Sequence, residues 1–120
     1  MNDTLAPPGA CAGHRFVAPH GDLDLATAPR LRQDLVDASA SGSTLVVLDL
    51  ERVEFLDSVG ISVIVGGHKR LRHEGRSLHL AAPQAIVRRV LGLTRLDTLI
   101  PTYETVDAAV SSCPSEHYAA

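Results

Sequence analysis

The sequence predicts a single α/β domain. Apolar, β-rich runs alternate with segments whose apolar residues recur at helical spacing, an order that demands parallel crossovers and a sheet covered by helices. Clusters of Gly, Pro and Ser separate those segments. The composition, 45% hydrophobic and 21% charged over 120 residues, is that of one domain with a core of its own. The domain is expected over residues 13–112. Residues 1–12, with Pro7-Pro8-Gly9, read as a flexible lead-in, and residues 113–120 as a flexible tail.

In chain order, residues 14–25 alternate weakly and suggest a strand, which Pro19 confines to an edge or a bulge. From Thr27 to Ala40, Ala28, Leu31, Leu35 and Ala38 share one helical face. Pro29 falls in the first turn, Thr27 is the plausible cap, and Ser41-Gly42-Ser43 ends the helix. Thr44 to Leu50 is a continuous apolar run, as in a strand buried on both faces. A second helix follows Phe55-Leu56-Asp57-Ser58, with Ile61, Ile64, Val65, His68 and Leu71 on one face and Gly75 at its stop. Ser77 to Ala82 forms another short strand, with Leu78 and Leu80 on one side. Ile86, Val87, Val90 and Leu91 mark a third helix broken near Gly92, and Val106, Ala109 and Val110 a short final one.

Composition excludes several function classes. A net charge of −3 gives no field to attract nucleic acid or anionic lipid, and 3% aromatic residues supply no base-stacking platform. The basic run from Lys69 to Arg76 complements a helix C-terminus. No apolar run approaches the roughly 20 residues of a membrane span. Cys11 and Cys113 form no CxxC pair, the N-terminus lacks a secretory pattern, and the chain reads as cytoplasmic. Cofactor fingerprints are missing: Gly66-Gly67-His68-Lys69 only resembles a phosphate loop and lies inside a helix, where close packing accounts for the glycines. The six histidines form no metal-ligand pattern, and His68 reads as a partly buried core residue with a hydrogen bond.

The informative stretch is Val53 to Ile61. Asp57 and Ser58 stand where a buried strand leads into an amphipathic helix, and either can cap its first turn. A phosphorylated hydroxyl there would face the positive helix end and free N–H groups, so the fold would tolerate the modification while the surface changed sharply.

Phe55-Leu56-Asp57-Ser58-Val59-Gly60-Ile61 resembles the Asp-Ser-(Ser/Thr)-Gly-(Leu/Ile) signature of STAS domains, specifically those of bacterial anti-sigma factor antagonists. Gly21-Asp22-Leu23-Asp24-Leu25-Ala26-Thr27-Ala28-Pro29 resembles that family's Gly-Glu-Leu-Asp segment. The likeness runs from about Arg15 to Val110. It implies a STAS fold, a mixed, largely parallel sheet of about four strands against about four helices. It further implies that Ser58 is the phosphoacceptor of a serine-kinase anti-sigma factor, that a PP2C-type phosphatase reverses the modification, and that the chain is neither an enzyme nor a cofactor binder. Gly21, Asp22, Asp24, Asp57, Val59, Gly60 and Ile61 would form the partner-binding face. Two departures stand out: Val59 replaces the usual second hydroxyl, and the opening strand of the family leaves only Asp3-Thr4-Leu5 as a trace.

Rival readings are a two-component receiver phosphorylated on Asp49, which lacks the acidic pair that would hold Mg²⁺, and a serine hydrolase using Ser58, where Leu56 takes the first glycine position of GxSxG. A STAS module that is never phosphorylated and serves in assembly is the remaining alternative.

Overall fold

The computed structural model describes residues 13–112. The expectations for the lead-in, the tail, Cys11, Cys113 and the trace at Asp3-Thr4-Leu5 lie outside those residues. Strand β1 (His14–Val17) is followed by β2 (Gly21–Leu23) and helix α1 (Ala28–Ala40). Then come β3 (Leu45–Asp49), β4 (Val53–Leu56), α2 (Ser58–His73) and β5 (Ser77–Ala81). The chain continues through α3 (Ala85–Leu93), α4 (Leu96–Leu99), β6 (Thr102–Tyr103) and α5 (Val106–Ser111).

The main sheet has four strands in the order β1-β3-β5-β6, and every pairing among the described residues is parallel. β3 lies at its centre because both its faces are apolar: Leu45, Val46, Val47 and Leu48 are all fully buried. Val46 and Leu48, with Leu78 and Leu80 of β5, face the larger core filled by α1, α2, α3 and α4. Leu45, Val47 and Ala81 face α5, through Ala109. The alternation expected for β5 is therefore present, with its two faces serving two different cores.

The single strand expected over residues 14–25 is instead two strands in two sheets. Pro19 has no N–H for a ladder, so the chain leaves the main sheet after Val17 and resumes at Gly21, paired in parallel with β4. β4 escaped detection because its burial runs buried, exposed, exposed, buried rather than alternating. α4 and β6 are too short to carry a period at all.

α1 buries Ala28, Leu31, Leu35 and Ala38, as its spacing predicts. α2 stops as expected: the amide of Gly75 donates to Arg72 O and that of Arg76 to Leu71 O, with Gly75 at φ +72°. Its inner face, however, is rotated from the one expected. Gly60, Val63, Ile64, Gly67, His68 and Leu71 are buried, whereas Ile61 and Val65 are only half-buried. Glycines are on the inside because the neighbours approach closely. A Cβ on Gly67 would sit 3.2 Å from Leu35 Cδ1, so close packing explains this residue. It does not explain Gly66, where a Cβ would meet nothing within 4 Å. His68 is buried as expected, but its ring makes no hydrogen bond among the described residues, against expectation.

Candidate functional site

The parallel β2–β4 ribbon brings two distant segments together. Leu23 pairs with Leu56, and Leu23 O accepts the Asp57 amide at 3.1 Å. The loop after β2 and the first turn of α2 consequently form one surface.

The loop is held by its own short polar side chains. Asp24 Oδ1 accepts the amides of Ala26 at 3.0 Å and Thr27 at 3.2 Å. The Thr27 hydroxyl donates to Asp22 O at 2.8 Å and accepts from the Asp24 amide at 3.0 Å. Thr27 thus occupies the N-cap position of α1 without capping it by its side chain. Its hydroxyl is turned back onto Asp22 O and the Asp24 amide, and Pro29 removes one of the two N–H groups that a cap could take. Gly21, at φ +81°, opens β2 at an irregularity in its register with β4, with its amide on Arg52 O at 2.9 Å.

At the start of α2 the geometry resolves which residue caps. Asp57 is extended, and its Oδ1 accepts the amides of Val59 at 2.8 Å and Gly60 at 3.0 Å. The amide of Ile61 bonds Asp57 O. Ser58 is the first helical residue, exposed, with no hydrogen bond to its hydroxyl among the described residues. The free N–H groups expected to receive a phosphate are therefore mostly taken: Asp57 holds two of them, and its carboxylate lies next to Ser58. A phosphate there meets the helix dipole and a neighbouring anion together.

Of the residues expected on the docking face, Asp22 and Ser58 are exposed, and Gly21, Asp24, Asp57, Val59 and Ile61 are half-buried. Val59 and Ile61 lean on the core. Gly60 is inside: a Cβ there would come within 2.6 Å of Leu23 O and 2.9 Å of Leu56 Cδ1. It is a spacer that lets the helix approach β2, not a contact residue. Two apolar side chains beside the site escaped the sequence reading, Leu25 at 74% exposed and Phe55 at 44%. A strand running to residue 25, as expected, would put Leu25 on the same face as the buried Leu23. The signal that could have corrected it is Asp24 with Thr27 three residues on, a turn pair that ends the strand at Leu23. A cleft of about 390 Å³ opens beside the loop, between His20, Leu23, Ala26 and Arg30.

The rival chemistries find little here. Asp49 ends β3, and its Oδ1 is engaged by the Glu51 amide at 3.0 Å. No histidine bonds Ser58 among the described residues, as a hydrolase would require. Among those residues no three His, Cys, Asp or Glu side chains are grouped to hold a metal, and no helix is long and apolar enough to cross a membrane.

The STAS domain family model matches residues 11–109, nearly the whole described domain. The chain belongs to the STAS domain family. Among its relatives, the anti-sigma-F factor antagonist RsfB of Mycobacterium tuberculosis is 30% identical over 93 residues, covering 76% of this chain and 74% of RsfB. The anti-sigma-B factor antagonist of Staphylococcus aureus is 29% identical over 84 residues, covering 70% of this chain and 78% of its own. The crystal structure of an anti-sigma factor antagonist from Mycobacterium paratuberculosis superposes with a TM-score of 0.78 at 30% identity, over 91% of this chain and 98% of the other. The receiver and hydrolase readings fall with this membership, since the STAS fold is neither.

Proposed function

We propose that this STAS domain is an anti-sigma factor antagonist: a binding module, not an enzyme. In its unmodified form it docks on a cytoplasmic anti-sigma factor of the serine-kinase type and frees a sigma factor. The docking face comprises β2 and the loop after it, Gly21–Thr27, with Asp22 and Asp24, and the start of α2, with Asp57, Ser58, Val59 and Ile61. Leu25 and Phe55 contribute the apolar contact at its edge. The partner then transfers a phosphoryl group from ATP to the Ser58 hydroxyl, supplying the positioning and charge stabilisation itself. A PP2C-type phosphatase restores the active form.

The observation that supports this reading is the Ser58 hydroxyl, exposed and unengaged at the tip of α2 beside the Asp24 loop. Phosphate adds about −1.5 to −2 charge there, next to a carboxylate already spent on the helix amides. A hundredfold loss of partner affinity needs only about 2.8 kcal/mol, which burying such a charge in an interface built for a neutral hydroxyl readily supplies.

The test is binding of Ser58→Ala and Ser58→Asp to the histidine-kinase-like anti-sigma factors of the same genome. The Ala form is expected to bind as the unmodified protein does, and the Asp form roughly a hundredfold more weakly. Full binding by the Asp form refutes charge repulsion as the switch. Incubation with kinase and ATP, followed by mass spectrometry, locates the phosphate, and its appearance anywhere but Ser58 refutes the assigned acceptor.

A further inference from the structure

A second cavity, of about 530 Å³, opens at the far end of α2 from Ser58, where the last turns of that helix meet the start of β5 and the segment around β6. From Ser58 to Arg72 the helix axis runs about 21 Å. Arg72, Arg76, His68, His79 and Tyr103 line the cavity, together with the apolar side chains of Leu99 and Pro101. Among the described residues no Asp or Glu side chain lines it.

Arg76 is the unusual member. Its side chain is only 13% exposed; Nε donates to Ser43 O at 2.6 Å and Nη1 to Glu74 Oε1 at 2.7 Å. Its Nη2 is sealed from solvent and has no acceptor among the described residues. A buried cationic N–H left without an acceptor is costly; being sealed, it lends the cavity wall charge rather than a hydrogen bond, and Glu74 on Nη1 offsets part of that charge. The two histidines are nearly enclosed, at 8% and 2% exposed. Burial lowers the pKa of both, and for His68 the charges of Arg72 and Lys69 lower it further. Both rings are therefore neutral near pH 7, and the charge of the cavity wall comes from its arginines. A cavity of this size, apolar along one side and bearing a few convergent polar groups, has the form of a small-molecule site.

We propose that this cavity binds a small organic carboxylate with a flat apolar body. The carboxylate pairs with Arg72 at the cavity surface, and Arg76 supplies a second cation in the wall. The apolar body lies among Tyr103, Leu99 and Pro101. The site is separate from the Ser58 face and does not depend on how that face works.

The full chain, observed by NMR, tests this with 2-naphthoate and its uncharged counterpart 2-naphthamide. Naphthoate is expected to shift the ring signals of His68, His79 and Tyr103 saturably and to bind at least about tenfold more tightly than the amide, the difference that a charge-assisted contact supplies. The titration midpoint of His68 rises on binding, because a nearby anion favours the imidazolium. Arg72→Gln, on the exposed side of α2, is expected to weaken naphthoate about tenfold while leaving the remaining amide spectrum unchanged. Ser58→Asp leaves naphthoate affinity as it was. No shift at these rings, equal binding of acid and amide, or an Arg72→Gln variant with undiminished affinity overturns the proposal.

Discussion

Replacing Gly60 by Ala probes the contact on which the Ser58 surface is built. The added Cβ would lie 2.6 Å from Leu23 O, 2.9 Å from Leu56 Cδ1 and 3.0 Å from Leu23 Cβ. The Leu56 methyl can rotate away, but the Leu23 carbonyl cannot, because it is backbone and already accepts the Asp57 amide at 3.1 Å. Ordinary contact near 3.4 Å requires the first turn of α2 to retreat from β2 by roughly 0.8 Å. Overpacking of this kind costs about 1–3 kcal/mol, and straining the Leu23–Asp57 hydrogen bond adds about 1 kcal/mol. Alanine returns about 1 kcal/mol through its better helix propensity. The net destabilisation is about 1–3 kcal/mol, a fall in Tm of roughly 4–8 °C for each kcal/mol in a domain of this size. Urea denaturation of the wild type and Gly60→Ala measures it directly, and a chemical-shift map is expected to centre the perturbation on Leu23, Asp24, Asp57 and Ser58. A variant as stable as the wild type, or more so, refutes the claim that this glycine exists to admit the Leu23 carbonyl.

Gly66→Ala carries the opposite sign. It is exposed, mid-helix and free of neighbours within 4 Å, so alanine is expected to raise stability by about 0.5–1 kcal/mol in the same urea assay. Asp57→Ala removes the cap of α2 and is expected to cost about 1 kcal/mol, whereas Asp57→Asn, which keeps an acceptor oxygen, loses much less. Stability is also expected to fall on acidification. Burial depresses the pKa of His68 and His79 in the fold, whereas in the unfolded chain they titrate near 6.5. Their contribution is complete above that value and is lost as pH drops toward the depressed folded values, because the unfolded chain binds protons that the folded one refuses. Urea midpoints at about pH 7.5 and about pH 5.5 check the sign, with a shallower dependence expected for His79→Asn.

Regular elements were legible where a period ran long enough to be counted. Leu31 and Leu35 declared α1, the unbroken Leu45–Leu48 run declared β3, and Asp57-Ser58 ahead of Ile61 marked the start of α2. Short elements were not: β4, α4 and β6 span at most four residues each, less than any pattern needs. The site was legible as two motifs, while its apolar edge at Leu25 and Phe55 was not. An exposed leucine is recognised only once the turn that reverses the chain at Asp24 is known.

The amino-acid order by itself thus determined the α/β architecture, the family, and a hydroxyl at a helix start, because these depend on spacing along the chain. Only the tertiary structure decided that Asp57 rather than Ser58 caps α2, and that Gly60 and Gly67, not Ile61 and Val65, turn inward. Those outcomes depend on how closely β2 and α1 approach α2, and the interatomic distance from Leu23 to Gly60 or from Leu35 to Gly67 is not written in the spacing of either segment.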